Sequence, residues 1–202
     1  MLYLLGKALF WLLFSLAYRW EVRGREHVPA EGPLLVVANH FSWLDPPLVG
    51  TVLPRKVHFM AKQELFRNPL VARILRRLGA FPVRRGQPDR WALRHALQLL
   101  QEGRVVAMFP EGTRSRGPLG PFEPGAALVA LKSGAPVLPV AIAGPYRLGG
   151  RVRVRIGPPL RWERAGGEGS IEAVTDRMRQ AIAALLAEPG GAERASSRIH
   201  AG

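Results

Sequence analysis

The chain contains no cysteine, which excludes disulfides, thiolate metal ligands and a cysteine nucleophile. Acidic residues are scarce too: 15 Asp and Glu stand against 29 Lys and Arg, for a formal net charge of +14. The glycine-rich loops G-x-x-x-x-G-K-[ST] and G-x-G-x-x-G are absent, and so is a G-x-S-x-G elbow. Readings as a nucleotide-motif enzyme or a serine hydrolase therefore lose their usual support. The histidines lack a recognisable metal-ligand spacing, so no metal and no cofactor is expected. A membrane-spanning helix is borderline, because Lys7 interrupts the apolar run at the N-terminus. Its charge-free part, residues 8–18, covers only about 16 Å as a helix, where ~20 apolar residues are needed to cross.

What is present is basic and apolar. A chain of 202 residues with 48% hydrophobic side chains suits one domain with a sizeable core. Positive charge is concentrated between Arg55 and Arg104, where twelve Lys and Arg face only Glu64, Asp89 and Glu102. Such an excess attracts polyanions: nucleic acid, anionic lipid headgroups, phosphorylated substrates or an acidic carrier protein. Residues 1–20 are apolar nearly all round and rich in aromatics, with Arg19, Arg23 and Arg25 behind them. This pattern predicts a helix lying in one leaflet at the cytoplasmic face of a membrane, the alternative being a buried core helix. Neither the flanks nor the end of the segment match a cleaved signal peptide.

Apolar strand-like runs then alternate with helical patterns. Strands are expected at Leu34–Ala38, 57–61, 80–85, 105–109, 136–143 and Arg151–Ile156, the last reading as an edge strand with one wet face. Helices are expected to start at Pro46, at Asn68-Pro69, at Asp89 over Arg90–Gln101, over 125–132 and from Ser170, with Gly79, Gly103 and Gly134 as stops. Residues 22–30 read as a connector with a solvated His27, His58 as a satisfied sheet histidine and His95 as structural. This alternation predicts a single α/β domain, with a largely parallel central sheet flanked by helices, over residues 21–187. Residues 188–202 are expected to be a disordered tail.

Two loops carry the chemistry. Leu34–Ala38 runs into Asn39-His40-Phe41-Ser42-Trp43-Leu44-Asp45-Pro46-Pro47. Positions five apart lie about 140° around a helix, so His40 and Asp45 can meet only across a turn. Pro46 favours such a turn, and it also suits Asp45 as the N-cap of the helix that follows. If the pair does meet, His40 is a general base whose tautomer Asp45 fixes. The second loop is Pro110-Glu111-Gly112-Thr113-Arg114. Gly112 permits close backbone approach, Thr113 offers a hydroxyl, and Arg114 offers a fork for phosphate. Arg84 and Arg85, at another strand end, could converge on the same anion, whereas Arg116 reads as solvated.

Asn39-His40-x-Ser42-x-x-Asp45, followed by Phe109-Pro110-Glu111-Gly112-Thr113-Arg114-Ser115, resembles the glycerolipid acyltransferase family. Gly79-Ala80-Phe81-Pro82-Val83-Arg84-Arg85 resembles that family's middle motif, and Val137-Leu138-Pro139-Val140-Ala141 its fourth. The resemblance implies acyl transfer from acyl-CoA or acyl carrier protein to a lysophospholipid hydroxyl, with 1-acyl-glycerol-3-phosphate the typical acceptor. It implies His40 as the base, Asp45 as its orienting group, and direct attack on the thioester with no acyl-enzyme. Arg85, Gly112, Thr113 and Arg114 would hold the acceptor phosphate. Glu111 would organise the loop or contact the acceptor glycerol. The hydrophobic N-terminus is shorter than in many bacterial relatives.

Other acceptors, such as a lyso-ornithine lipid, fit the same motifs. A basic nucleic-acid-binding module would explain the charge and the run Arg151-Val152-Arg153-Val154-Arg155, but not the apolar N-terminus. A catalytically dead membrane scaffold would not need an intact His–Asp pair. The partners expected are therefore a lysophospholipid, an acyl donor and a membrane surface rather than nucleic acid. Oligomeric state is not legible from the sequence.

Overall fold

The computed structural model of the protein describes residues 2–84, 86, 89–114, 117–162 and 170–188. Seven strands form one sheet in the order β1-β7-β6-β2-β5-β3-β4. They are β1 (Arg19–Arg23), β2 (Leu34–Ala38), β3 (Val57–Lys62), β4 (Ala80–Val83), β5 (Val105–Met108), β6 (Val137–Ala143) and β7 (Arg151–Ile156). β6, β2, β5, β3 and β4 run parallel, and β7 lies antiparallel to β6. β1 runs parallel to β7, so it occupies the edge that the sequence assigned to β7.

The helices are α1 (Leu2–Ala17), α2 (Asp45–Val52), α3 (Pro69–Arg77), α4 (Arg90–Gln101), α5 (Gly125–Ser133) and α6 (Ile171–Ala187). The starts read from the sequence hold at three of them. The side chains of Asn68, Asp89 and Ser170 accept the first amides of α3, α4 and α6. The two-residue period of β2 divides the core between the two faces of the sheet. Leu35 and Val37 pack with α4, α5 and α6, while Leu34, Val36 and Ala38 pack with α1 and α2.

Three sequence expectations need correction. The N-terminal helix ends at Ala17 rather than at residue 20, and Arg19 and Trp20 belong to β1. His27 is partly buried rather than solvated, because its Nδ1 lies 2.8 Å from the Ile156 carbonyl at the end of β7. The arginines of β7 do not form a wet stripe. Arg155 is buried and donates to the carbonyls of Leu185 and Glu188 at 2.9 and 2.8 Å, tying the end of α6 to the sheet. Glu188 thus takes part in the fold, and the rest of the expected tail lies outside the described residues.

No described helix is long and apolar enough to cross a membrane. α1 buries Phe14 in the core but exposes Leu4, Leu5, Leu9, Leu12, Leu13 and Leu16. Lys7 turns inward to the Leu53 carbonyl at the end of α2, and burial and the nearby Arg25 lower its pKa.

Candidate active site

Connectivity places both chemical loops at one point of the sheet. From β2 the chain leaves through α2 toward β3. From the neighbouring β5 it leaves through α5 toward β6, on the opposite side. A crevice opens where adjacent parallel strands part in this way, at their carboxyl ends. Val37 stands level with Met108, so three residues further on His40 comes level with Glu111. The His40 amide donates to Glu111 Oε1 at 2.7 Å, and Glu111 Oε2 accepts from the Gly120 amide at 3.2 Å. One carboxylate therefore joins the two loops.

Asp45 lies 2.9 Å from His40 Nδ1 across the turn, and both side chains are buried. The same oxygen, Oδ2, accepts the amides of Phe41 and Ser42 at 2.8 and 2.7 Å. An oxygen bound by two donors acts as an acceptor, so the facing Nδ1 carries the hydrogen and Nε2 keeps its lone pair. Nε2 is then able to take a proton. The N-cap reading of Asp45 does not hold: Asp45 is the first residue of α2, and no side chain caps that helix. Its Oδ2 turns back to the preceding turn, and its Oδ1 accepts the Tyr146 hydroxyl at 2.8 Å. Ser42 Oγ accepts the Leu44 amide, so it serves the turn.

Around this pair, Phe109 packs on the His40 ring with centroids 4.5 Å apart. Asn39 pairs with β6 through two bonds to Ile142, at 2.9 and 2.8 Å. A cavity of about 490 Å³ opens beside His40, with Leu119, Ile142, Tyr146 and Leu186 in its walls. Gly112, Thr113 and Arg114 are exposed beyond Glu111, and Gly112 has a left-handed φ of 66° that favours glycine. Arg84 goes elsewhere: its Nε donates to Gln63, and it lines a different cleft. Arg85 and Arg116 lie outside the described residues.

Tyr146 is the contact that sequence reasoning missed. It comes from the β6–β7 connection and also packs on Phe41 and Tyr18, with centroids 5.2 and 5.5 Å apart. Burial, with the negative charge and hydrogen bond of Asp45, pushes its hydroxyl pKa well up, so it remains a donor.

Residues 19–143 match the family model described as Acyltransferase. The chain is 31% identical to a 1-acyl-sn-glycerol-3-phosphate acyltransferase of Bacillus subtilis, over 86% of this chain and 92% of that protein. A lyso-ornithine lipid O-acyltransferase of Pseudomonas aeruginosa is 38% identical over 66% of this chain and 51% of its own length. The crystal structure of the 1-acyl-sn-glycerophosphate acyltransferase PlsC from Thermotoga maritima superposes with a TM-score of 0.71 at 31% identity, covering 93% of this chain and 79% of that one.

Proposed function

The chain belongs to the acyltransferase family, and from that premise we propose that it acylates the free hydroxyl of 1-acyl-glycerol-3-phosphate, giving phosphatidic acid. The acyl donor is acyl-CoA or acyl carrier protein. The observation that carries this reading is the buried His40–Asp45 pair at the switch point between β2 and β5, joined to the second loop through Glu111.

In the proposed reaction, His40 Nε2 takes the proton of the acceptor hydroxyl as its oxygen attacks the thioester carbonyl. The new C–O ester bond forms, the C–S bond breaks, and the imidazolium returns its proton to the departing thiolate. The absence of cysteine and the use of Ser42 within the turn support direct attack without an acyl-enzyme. Asp45 orients the ring and balances the imidazolium charge. Arg85, Gly112, Thr113 and Arg114 hold the acceptor phosphate. Glu111 organises the two loops. The apolar wall of the neighbouring cavity supports entry of an acyl chain there. The exposed leucines of α1 and the arginines after it support a location at the cytoplasmic face of the membrane.

A second acceptor has one observation in its favour, the 38% identity to the lyso-ornithine lipid enzyme. The test is thiol release with each acceptor and each donor, for wild type and His40→Ala. The expected outcome is transfer to lysophosphatidate and a loss of roughly 10²- to 10⁴-fold in the variant. Undiminished transfer by His40→Ala would overturn the mechanism, and faster transfer to lyso-ornithine lipid would reassign the acceptor.

A further inference from the structure

α3 is apolar on one side and basic on another. It holds Leu70, Val71, Ile74 and Leu75 beside Arg73, Arg76 and Arg77, and it has no carboxylate. The apolar side of an amphipathic helix normally turns to the core. Here only Ala72 is fully buried, while Leu70 is 64% and Ile74 43% exposed, with Val71 exposed beside them. At about 100° per residue, Leu70, Ile74 and Leu78 fall within about 80° of the helix surface, and Arg77 and Arg73 follow on the flank away from Leu78. Neither of these two arginines forms an ion pair among the described residues.

This stripe does not stand alone. β2, β5, β3 and β4 are parallel neighbours, and the crossovers from β2 to β3 and from β3 to β4 run in one direction across the sheet. Right-handed crossovers therefore put α2 and α3 on the same face, the one that α1 also covers. Gly6 of α1 meets the Leu78 side chain at the end of α3, so closely that a Cβ on Gly6 would lie 2.8 Å from Leu78 Cδ2. Glycine is unfavourable within a helix, and this close approach is what its missing side chain permits. The exposed leucines of α1 and the stripe of Leu70 and Ile74 thus lie on neighbouring helices of one layer, with Arg73 and Arg77 along its far margin.

Charge and size decide what covers the stripe. A second copy of the chain would set arginine against arginine, in a molecule of net charge +14. Three exposed side chains also fall far short of the ~800 Å² per partner of a stable dimer. A lipid leaflet satisfies both halves: acyl chains take Leu70, Val71 and Ile74, and anionic headgroups pair with Arg73 and Arg77. We propose that α3 is a second lipid-contacting helix, lying in the same leaflet as α1. The proposal rests on the reading of α1 as a membrane attachment. Its consequence is orientation. A domain held by one helix rolls about that helix's axis, whereas two helices side by side fix a plane. The carboxyl end of the sheet, where His40 stands, is then held in one attitude to the leaflet.

The experiment uses the full chain, whose lack of cysteine allows a single one to be placed and labelled with the environment-sensitive fluorophore nitrobenzoxadiazole. Ile74→Cys reports on α3, Leu12→Cys on α1, and Asp176→Cys on α6, which covers the opposite face of the sheet. Vesicles of phosphatidylcholine mixed with phosphatidylglycerol are then added. The Ile74 and Leu12 probes are expected to shift to the blue and escape iodide quenching, and the Asp176 probe to do neither. In sedimentation of unlabelled protein, Leu70→Gln/Ile74→Gln should weaken partition about tenfold. Arg73→Gln/Arg77→Gln should weaken it about tenfold with the mixed vesicles and leave it unchanged with pure phosphatidylcholine. Unchanged melting temperatures check the fold. An Ile74 probe that stays in water while Leu12 is shielded, or undiminished partition of Leu70→Gln/Ile74→Gln, overturns the proposal and leaves the α1 reading standing. A Leu12 probe in water with Ile74 shielded overturns the α1 reading and makes α3 the attachment. Shielding of Ile74 without vesicles, growing with protein concentration, overturns the proposal in favour of a second copy.

Discussion

Asp45 makes more contacts than orienting one imidazole requires. Its Oδ2 meets His40 and two backbone amides, and its Oδ1 depends on the Tyr146 hydroxyl. Tyr146→Phe leaves that buried oxygen without its donor, at a cost of about 1–3 kcal/mol, and frees the carboxylate to rotate. Initial-rate measurements should show kcat falling roughly tenfold with both KM values unchanged. An altered KM with an intact kcat would instead make Tyr146 a substrate contact. The sequence displays His40 and Asp45 because they share one short turn. Tyr146 is 101 residues from Asp45 and follows a proline in a loop. Only the antiparallel return from β6 to β7 brings it close, and no local pattern encodes that pairing.

At the scale of elements, burial decides what can be read. Leu34–Ala38 is apolar at every position and buried on both faces, so it reads as a strand without ambiguity. Arg19–Arg23, with the sequence Arg-Trp-Glu-Val-Arg, lies at the sheet edge and carries charge on every other residue, so it merges with the helix before it. β3 carries a pH-dependent element. Burial holds the His58 imidazole below its ordinary value, with Lys56, Arg104 and His95 adding to the effect, while the bond to the Val105 carbonyl offsets part of it. Below an unfolded-state value near ~6.5, the unfolded chain gains a proton that the folded chain resists. Stability from neutral His58 is therefore present above that pH and is lost as pH falls below it. Melting scans should show a decline between about pH 7 and 5.5, and His58→Gln, which keeps a donor for Val105, should flatten it. An unchanged slope would assign the decline to other groups.

For the whole molecule, α1 has two opposite faces. Its exposed leucines account for the proposed attachment to lipid, and Leu12→Gln/Leu13→Gln/Leu16→Gln should move the protein from the pellet to the supernatant in sedimentation with anionic vesicles. Unchanged sedimentation would place the attachment elsewhere. The other face belongs to the domain. Phe14, 2% exposed, packs with α2 and the sheet, and Tyr3 and Lys7 bond to the end of α2 and the start of β3. Phe14→Ala should cost about 3–5 kcal/mol, read from urea unfolding in detergent; a much smaller cost would mean that the helix is only loosely joined to the domain. Shortening the chain to residue 18 onward in order to obtain a water-soluble enzyme would therefore defeat its purpose. It would uncover the floor on which Phe14 rests, directly behind the helix that begins with Asp45. A better-behaved preparation is to be sought by repainting the outer leucines and leaving the helix in place.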